Sequence, residues 1–448
     1  MEEGKVYKVT IEDYDINGLG VAKMEGVVLF VEKALKDEVV LAKITSLHKK
    51  YAFARAIKVL EPIPERLVSS CPYYEGCGGC DLLHMQYKTE CKIKENKVRT
   101  TLAKISGLTE YQLNPILKNK HILGYRNKVL MPFGMDEEDN VIYGFYEKLS
   151  HDLISIDKCE ISNHFANEVV EFIRRYVSVM NIKIYNEQTH EGIFRSVMVR
   201  NNYKNEMMVV LITTRKYDFS GLIPYLEKDF PLVKSVYLNI NDKKTNVMLS
   251  DQYIHIYGEQ TLTENILGLS FSVSPASFMQ VNHDACEALY LEAFRMAELN
   301  KDMVVIDAYC GMGSITINLA KRVKQVYGIE IVPDAIVNAN KNKELNHIEN
   351  ATFICGKCEE EIQKLANIEQ MDCIFFDPPR KGCEESFLKT VIKMQIPKII
   401  YISCNIATCC RDINYLLQYG YEVKEVTPVD LFSKTSHVEV ITLLELKK

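Results

Sequence analysis

The C-terminal part of the chain alternates between short apolar runs and amphipathic stretches, and this alternation limits the fold more than any other feature. From about Leu267 onward, β-branched apolar runs are typical of buried strands, and the stretches between them of helices. The pattern predicts an α/β fold with a seven-stranded, doubly wound sheet. The predicted strands are Met303–Ala308, Val326–Glu330, Thr352–Cys355, Met371–Asp377, Ile399–Ser403, Glu422–Val426 and Val438–Leu446, and the predicted helices include Ser314–Val323 and Pro333–Asn346.

A glycine-containing loop joins the first of these strands to the first helix. Within Asp307–Ser314, Gly311 and Gly313 let the backbone turn tightly and approach a ligand. Glu330 ends the next strand, where a carboxylate can accept hydrogen bonds from ribose hydroxyls. Thr316 stands in place of the third glycine of the dinucleotide fingerprint. The loop therefore favours S-adenosylmethionine over a nicotinamide cofactor, with a purely structural turn as the alternative.

Reactive side chains stand at the ends of four predicted strands. They are Asp307, Glu330, Asp377 and Cys404. Because ligands bind beyond the carboxyl ends of strands in such sheets, we expect all four to converge on one crevice. A thiol there can be a nucleophile, although a free Cys is more often a small buried hydrophobe. The Asp-Pro-Pro run that begins at Asp377 can hold a planar base through its carboxylate, with a surface turn as the alternative.

Two further domains are predicted ahead of the α/β domain, which we assign to residues 266–448. Residues 1–60 contain short valine-rich runs separated by turn signals such as Asn17–Gly20, and they predict a small OB-like β-barrel of RNA-binding type. Pro62 and Pro64 mark a linker. Residues 61–265 then form a mixed α+β middle domain that includes a helix at Tyr87–Ile105.

The net charge of −6 argues weakly against a nucleic-acid binder, but it conceals a basic segment. Between Asp81 and Met135 there are ten Lys and Arg residues against four Asp and Glu residues, with tyrosines and a histidine interleaved. Cations mixed with aromatic rings suit the backbone and bases of RNA. The alternative is a solvated helix face.

The 14 cysteines indicate metal binding or catalysis if the chain stays in a reducing compartment. The N-terminus shows no signal peptide, and no apolar stretch approaches the roughly 18 residues of a membrane span. We therefore expect a cytoplasmic protein. Cys71, Cys77 and Cys80 lie in a glycine-rich loop, and their spacing is compatible with either zinc or an iron–sulfur cluster.

Five motifs together make the chain resemble the RNA uracil-5-methyltransferase family over nearly its whole length. The family produces 5-methyluridine in ribosomal and transfer RNA. The motifs are Ser277-Phe-Met-Gln280-Val-Asn282, Asp307-Ala-Tyr-Cys-Gly-Met-Gly313, Asp377-Pro-Pro-Arg-Lys-Gly382, Ser403-Cys-Asn405 and His437-Val-Glu439.

The resemblance implies a covalent mechanism for the site. Cys404 would add to carbon 6 of uracil, so that carbon 5 becomes nucleophilic enough to take a methyl group. Glu439 would remove the proton from carbon 5, and Asp377 would hold and polarise the ring. A helix beginning near Ala407 could give Cys404 thiolate character. The implied contacts to S-adenosylmethionine are Gln280, Tyr309, Ser314, Glu330, Lys357 and Asp377.

The resemblance also implies a TRAM barrel at the N-terminus and a [4Fe-4S] cluster. The cluster would be held by Cys71, Cys77, Cys80 and Cys159, with Cys91 as the competitor for the fourth position. Barrel and cluster together favour ribosomal RNA, of the 23S type, as the substrate. We expect a monomer that acts on RNA and binds neither DNA nor membranes.

Three alternatives remain open on the sequence. They are a transfer-RNA uridine-5-methyltransferase, an amino-group methyltransferase, and an inactive RNA-binding iron–sulfur protein. Two departures from the family pattern also stand out. Ile406 replaces the Pro that commonly follows Ser-Cys-Asn, and Leu19 replaces the Glu of a Gly-Glu-Gly turn in the barrel.

Overall fold

The computed structural model describes residues 1–148, 150, 152–245, 247–365 and 370–447, and the chain divides into two compact units. The first unit comprises Met1–Tyr74, Gly79–Lys120 and Asp377–Lys448. The second comprises Glu75–Gly78 and His121–Phe376.

The first unit begins with a six-stranded sheet in the order β1-β5-β6-β4-β3-β2. Its alternating pattern buries one face, so that Leu29, Val31, Ala52 and Ala54 are fully buried. The predicted small β-structure is thus present, with two strands, β2 and β3, that were not predicted. The strands are β1 Val6–Thr10, β2 Asp13–Tyr14, β3 Gly20–Met24, β4 Val27–Glu32, β5 Val39–Leu47 and β6 Tyr51–Glu61.

The predicted helix of the basic segment is confirmed. It is α1, Tyr87–Thr101, and it continues into a π-helical turn at Leu102–Ser106. A two-residue strand, β7 (Gln112–Leu113), follows.

The second unit holds a seven-stranded sheet in the order β10-β9-β8-β11-β12-β13-β14, followed by a hairpin, β15 and β16. Every pairing in the larger sheet is antiparallel except that of β12 with β13. The elements are β8 Lys128–Met135, β9 Val141–Tyr146, β10 Leu153–Ser155, α2 His164–Val179, β11 Phe194–Asn201, β12 Met207–Thr213, α3 Ile223–Asp229, β13 Val233–Ile240, β14 Tyr253–Gly258, β15 Leu262–Ile266, β16 Leu269–Val273 and α4 His283–Ala297.

The second unit ends in four parallel strands in the order β19-β18-β17-β20. This is the alternating β/α pattern expected from the sequence, with one extra helix, α7. The elements are β17 Val304–Ala308, α5 Ser314–Ala320, β18 Gln325–Glu330, α6 Pro333–Leu345, β19 Ala351–Cys355, α7 Cys358–Leu365 and β20 Cys373–Phe376.

The C-terminal segment returns the chain to the first unit. Here β23 lies antiparallel between β21 and β22, and β7 adds a short parallel edge to β22 that was not predicted. The elements are α8 Glu385–Lys393, β21 Lys398–Ser403, α9 Ile406–Leu417, β22 Tyr421–Val429 and β23 Glu439–Leu446.

A buried ion-pair network ties α1 to the segment that leads into β23. The ammonium of Lys94, only 1% exposed, donates to Glu90 at 2.9 Å and to Asp430 at 2.6 Å. Lys434 lies 3.3 Å from the second oxygen of Glu90, and the Tyr87 hydroxyl donates to Asp430 at 2.7 Å. Since a buried charge is tolerated only when it is paired, the network requires α1 and residues 430–434 to stay together.

We predict that Lys94→Met destabilises the protein by about 3–5 kcal/mol, because it leaves two carboxylates buried without their shared cation. The measurement is the urea midpoint of the transition that involves the first unit. Lys92→Met, on the exposed side of the same helix, is the matched control and should change stability by less than about 0.5 kcal/mol. Equal midpoints for the two variants would contradict the importance of the network.

Candidate active site

Cys404 lies in the turn between β21 and α9, and it is half-buried. Asn405 holds this turn by three contacts: its side-chain oxygen caps α9 at the backbone N–H of Ala407 (3.1 Å), its amide donates to the carbonyl of Arg380 (3.1 Å), and its backbone N–H donates to the Ser403 hydroxyl (3.1 Å). The Ser-Cys-Asn motif is therefore a strand-to-helix turn whose flanking polar side chains fix the position of the thiol.

Ile406, the unexplained departure, is the first residue of α9 and is 4% exposed. Pro is favoured at this first helical position because it needs no hydrogen bond there and has a helical φ. Ile406 lacks that fixed φ. The turn is nevertheless held by the Asn405 cap and by Thr408, whose hydroxyl lies 3.1 Å from the Asn405 carbonyl and 3.2 Å from that of Arg380.

Glu439 is brought to Cys404 by strand register. Ser403 pairs with Val440 in the antiparallel ladder of β21 and β23, so that one further step sets Cys404 opposite Glu439. The Glu439 side chain is 2% exposed, and its Oε2 atom has no hydrogen-bond partner within the described part of the chain. An unpartnered buried carboxyl oxygen beside a thiol is available to a ligand.

Burial and mutual charge raise the pKa values of the acidic groups of the site. Burial, then the charge of Asp377, raises the pKa of Glu439 well above its ordinary value. Burial raises the pKa of Asp377 to about 7. Burial, followed by the charges of Glu439 and Asp377, raises the pKa of Cys404 to about 11. The expectation that the helix N-terminus gives Cys404 thiolate character is thus wrong for the free protein, because desolvation and two carboxylates outweigh it.

Arg380 is a candidate functional residue that the sequence reasoning did not assign. Its guanidinium hydrogen-bonds the Cys404 side chain and lowers the pKa of both Cys404 and Glu439, against the effect of burial. Its place inside the Asp-Pro-Pro-Arg motif was the available signal. Arg380 also lines a cleft of about 220 Å³ over the thiol, together with Lys97, Cys404, Asn405, Ile406, His437 and Val438.

The loop that carries Asp377 and Arg380 is anchored to α9. The buried carboxylate of Asp412 accepts hydrogen bonds from the backbone N–H of Cys383 at 2.8 Å and from the Tyr401 hydroxyl at 2.7 Å. Gly382 has a φ of +80°, and a Cβ there would lie 2.7 Å from Asp412. Only glycine fits this position, which explains the last residue of the Asp-Pro-Pro-Arg-Lys-Gly motif.

In the second unit, the predicted cofactor loop follows β17. Glu330 accepts hydrogen bonds from the backbone N–H groups of Gly311 (3.2 Å) and Val332 (2.9 Å). Gly313 has a φ of +84°, and a Cβ there would lie 2.6 Å from Phe353. The Thr316 hydroxyl, at the place of the missing third glycine, donates to Asp307 at 2.5 Å. Asp307 is 1% exposed, and this hydrogen bond joins β17 to α5 beneath the loop.

The other predicted cofactor residues differ in their exposure. Gln280 is 8% exposed, and its backbone carbonyl accepts a hydrogen bond from the Asn127 side-chain amide at 3.1 Å. The hydroxyls of Ser314 and Tyr290 lie 2.8 Å apart. Lys357 is exposed and pairs with Glu360 at 3.3 Å. Tyr309, half-buried at the start of the loop, has a φ of +63°. The prediction that the strand-end residues of both units share one crevice stays a prediction.

The predicted cluster cysteines, Cys71, Cys77, Cys80 and Cys159, are half-buried, as partly accessible thiol ligands would be. However, in the residues that the structure describes, no group of three or more His, Cys, Asp and Glu side chains is arranged to hold a metal ion. Cys91, the competitor, is buried in α1, and burial together with Asp430 raises its pKa to about 11. A thiol that resists ionisation is a poor cluster ligand.

Within the described residues, no helix has both the length and the apolarity to cross a membrane.

Three comparisons relate the chain to known proteins. The family model for tRNA (uracil-5-)-methyltransferase matches residues 86–447, and that for the TRAM domain matches residues 1–57. An uncharacterized RNA methyltransferase of Halalkalibacterium halodurans is 39% identical over all of this chain and 98% of its own. One of Clostridium acetobutylicum is 40% identical over 98% of this chain and 96% of its own.

Among solved structures, the tRNA (uracil-54, C5)-methyltransferase of Pyrococcus abyssi, in complex with S-adenosyl-L-homocysteine, is similar with a TM-score of 0.77. The match covers 98% of this chain and 99% of that one at 23% identity, and it confirms the predicted fold class. By the family match and the curated relatives, the chain belongs to the tRNA (uracil-5-)-methyltransferase family of RNA methyltransferases and carries a TRAM domain.

Proposed function

We propose that this protein transfers a methyl group from S-adenosylmethionine to carbon 5 of a uridine in RNA through a covalent bond to Cys404. The observation that carries the proposal is the register of β21 and β23, which sets Cys404 opposite the buried Glu439 beside Asp377 and Arg380. An amino-group methyltransferase would have no use for a thiol facing a carboxyl group.

The proposed reaction gives a separate role to Cys404, Glu439 and Asp377. The Cys404 sulfur attacks carbon 6 of uracil, and the electron pair of the 5,6 double bond moves to carbon 5 and the carbonyl oxygen. S-adenosylmethionine would supply the methyl group that carbon 5 takes, with its methyl–sulfur bond broken and S-adenosylhomocysteine released. The Glu439 carboxylate then removes the proton from carbon 5, the double bond re-forms, and the sulfur leaves as thiolate. Asp377 accepts a hydrogen bond from the ring N–H.

The raised pKa values give Arg380 its proposed role. In the free protein burial raises the pKa of both the Cys404 thiol and the Glu439 carboxyl. Both must lose a proton for the reaction. The Arg380 guanidinium hydrogen-bonds the sulfur, and we propose that it stabilises the thiolate at the moment of attack.

The residues proposed to bind S-adenosylmethionine are those that the resemblance to the family implies. Glu330, whose carboxylate already holds the glycine loop, would bind the ribose hydroxyls. Gly311 leaves open space beside its backbone, as a close ligand requires. The remaining proposed contacts are Gln280, Tyr309, Ser314, Lys357 and Asp377.

Ribosomal RNA is the proposed substrate, with transfer RNA as the alternative. The TRAM barrel together with the proposed cluster supports ribosomal RNA, and the similarity to the Pyrococcus abyssi transfer-RNA enzyme over 98% of this chain supports the alternative. In either RNA the target base must leave its stack to reach a half-buried thiol.

We further propose that Cys71, Cys77, Cys80 and Cys159 hold a [4Fe-4S] cluster. The proposal rests on their spacing in the sequence and on their half-buried position. Their arrangement in the described chain is not that of an assembled metal site, so no step of methyl transfer is assigned to a cluster.

Arg380→Gln should raise the pKa of Cys404 above about 11, because the guanidinium lowers it. Below its pKa a thiol reacts in proportion to its thiolate fraction, so a higher pKa means slower reaction at any given pH. We expect about threefold to tenfold slower alkylation of Cys404 by iodoacetamide, followed from pH 7 to 10 by mass spectrometry of its peptide. Lys381→Gln, in the same loop, should alkylate like the parent protein. Equal rates for both variants would refute the role of Arg380.

RNA that carries 5-fluorouridine should form a stable adduct with the protein. Glu439 cannot remove fluorine from carbon 5, so the bond between Cys404 and carbon 6 persists after methyl transfer. We expect a slowly migrating band on a denaturing gel when total RNA is used, and ribosomal sequence in that band. Cys404→Ala should abolish it, while Cys355→Ala, at an exposed thiol, should not.

No adduct, or one that persists in Cys404→Ala, would overturn the uracil mechanism. Transfer-RNA sequence in the band would retain the mechanism and overturn the ribosomal substrate.

Protein purified without oxygen should be brown and contain about four iron atoms per chain. Cys159→Ser should lose the broad visible absorption, since a ligand is removed. Cys91→Ser should keep it, because Cys91 is a buried helix residue. A colourless preparation that contains zinc would defeat the cluster.

A further inference from the structure

Arg380 stands at the corner of a tight turn in the loop between β20 and α8. The backbone N–H of Gly382 donates to the Pro379 carbonyl at 2.8 Å, so residues 379–382 form a β-turn with Arg380 at its second position. This turn fixes Arg380 within the loop. It does not fix Arg380 relative to Cys404, which precedes α9, so the contacts between the loop and α9 decide that distance.

Four polar side chains of α9 and its cap hold the loop, and we name them the loop clamp: Asn405, Thr408, Arg411 and Asp412. Their spacing of three or four residues places them on the same side of the helix. The Arg380 carbonyl accepts from the Asn405 amide at 3.1 Å and lies 3.2 Å from the Thr408 hydroxyl. The Arg411 guanidinium donates to the carbonyls of Lys381 at 3.1 Å and Cys383 at 3.2 Å. One helix therefore positions both the thiol and the loop that carries the guanidinium.

Asp412 is the buried member of the loop clamp. It is 1% exposed, and the other buried residues of α9 are Ile, Leu and Cys. One carboxylate oxygen accepts from the backbone N–H of Cys383 and from the Tyr401 hydroxyl of β21, and the other accepts from Nε of Arg411 at 2.8 Å. A buried charge is stable only where such donors surround it. Asp412 therefore ties the loop to β21 as well as to α9.

We propose that Asp412 is a positioning residue for methyl transfer: it holds the turn at residues 379–382 where the Arg380 guanidinium reaches the Cys404 sulfur. The proposal rests on the proposed function, in which Arg380 assists the thiol. Arg380 is exposed and its side chain is long and flexible, so its reach to the sulfur depends on where the loop holds its backbone.

The test is Asp412→Asn, which keeps the volume of the side chain but replaces one acceptor oxygen by an NH2 donor. Either orientation of the amide sets a donor against Arg411 or against the two donors of the loop and β21. We expect alkylation of Cys404 by iodoacetamide to slow about threefold to tenfold between pH 7 and 10, as in Arg380→Gln. Loss of a negative charge alone would act in the opposite direction and speed alkylation, because a nearby negative charge raises the pKa of a thiol.

The effect must also depend on Arg380. In the Arg380→Gln background, Asp412→Asn should change the alkylation rate by less than about twofold, since the side chain that it positions is gone. A merely structural role of Asp412 would alter the thiol in both backgrounds. Glu384→Gln is the matched control, because it removes an exposed carboxylate directly after the loop, and it should alkylate like the parent protein.

Thr408→Val tests the loop clamp without removing a buried charge, and it decides the question where Asp412→Asn does not fold. It keeps the shape of a half-buried side chain and removes the hydroxyl next to the Arg380 carbonyl. Alkylation should again slow, and only while Arg380 is present. With a methyl-accepting RNA, Asp412→Asn should lower kcat about threefold to tenfold and leave KM for S-adenosylmethionine unchanged.

Unchanged or faster alkylation in the folded variant, a slowing that persists in the Arg380→Gln background, or an unchanged kcat would overturn the proposal. A failure of the proposed function gives a different result: the parent protein transfers no methyl group, while Asp412→Asn still slows alkylation only when Arg380 is present.

Discussion

The buried ammonium of Lys94 is the interaction on which the geometry of the active site depends. It requires Glu90 from its own helix and Asp430 from the far end of the chain, since a charge that is 1% exposed must be compensated. Residues 430–438 lead directly into Glu439, the first residue of β23, so their contacts with α1 help to set the position of the proposed base. Two further contacts secure this segment: Asp81 accepts from the backbone N–H of Ser436 at 2.9 Å, and Lys97 donates to the Ser436 carbonyl at 3.0 Å.

These contacts fix the position of a site whose acidic groups have raised pKa values. Three acidic groups lie close together, and burial raises the pKa of each of them. Such a site avoids the cost of a bare buried charge and avoids a reactive thiolate before RNA is bound. In the proposed reaction, ionisation of the thiol therefore depends on what enters the cleft and on Arg380, whose guanidinium hydrogen-bonds the sulfur.

Local sequence pattern was sufficient to predict much of the fold and the pair of Cys404 and Glu439 at the centre of the site. The β/α alternation from Met303, the helix at Tyr87 and the strand ahead of Cys404 each follow from periodicity within a short window. Glu439 came from a motif match, and the ladder register supplies its physical reason. Long-range features were not accessible. The pairing of β7 with β22 joins residues about three hundred positions apart, and a two-residue strand carries no sequence pattern that would predict it.

The same distinction explains Arg380 and the error about Cys404. A sequence places Arg380 in a motif, but only the fold directs its guanidinium to the thiol. The helix start behind Cys404 was predicted, yet its effect on the thiol was overestimated, because burial and two carboxylates from other strands cannot be weighed from sequence. Thr316 was noted only as a missing glycine, and its hydrogen bond to Asp307 gives that substitution a structural purpose.

The barrel turn shows how a departure from a family pattern can leave geometry intact. Gly18 has a φ of +83°, and a Cβ there would lie 2.9 Å from Leu82; a Cβ on Gly20 would lie 2.8 Å from Ile11. Both glycines are therefore required by backbone strain or by space. Leu19 is not, because the turn is closed by Asp15, whose carboxylate accepts from the Leu19 backbone N–H at 2.7 Å. The middle position of the motif is thus free to vary, and replacing a charged residue there leaves the turn unchanged.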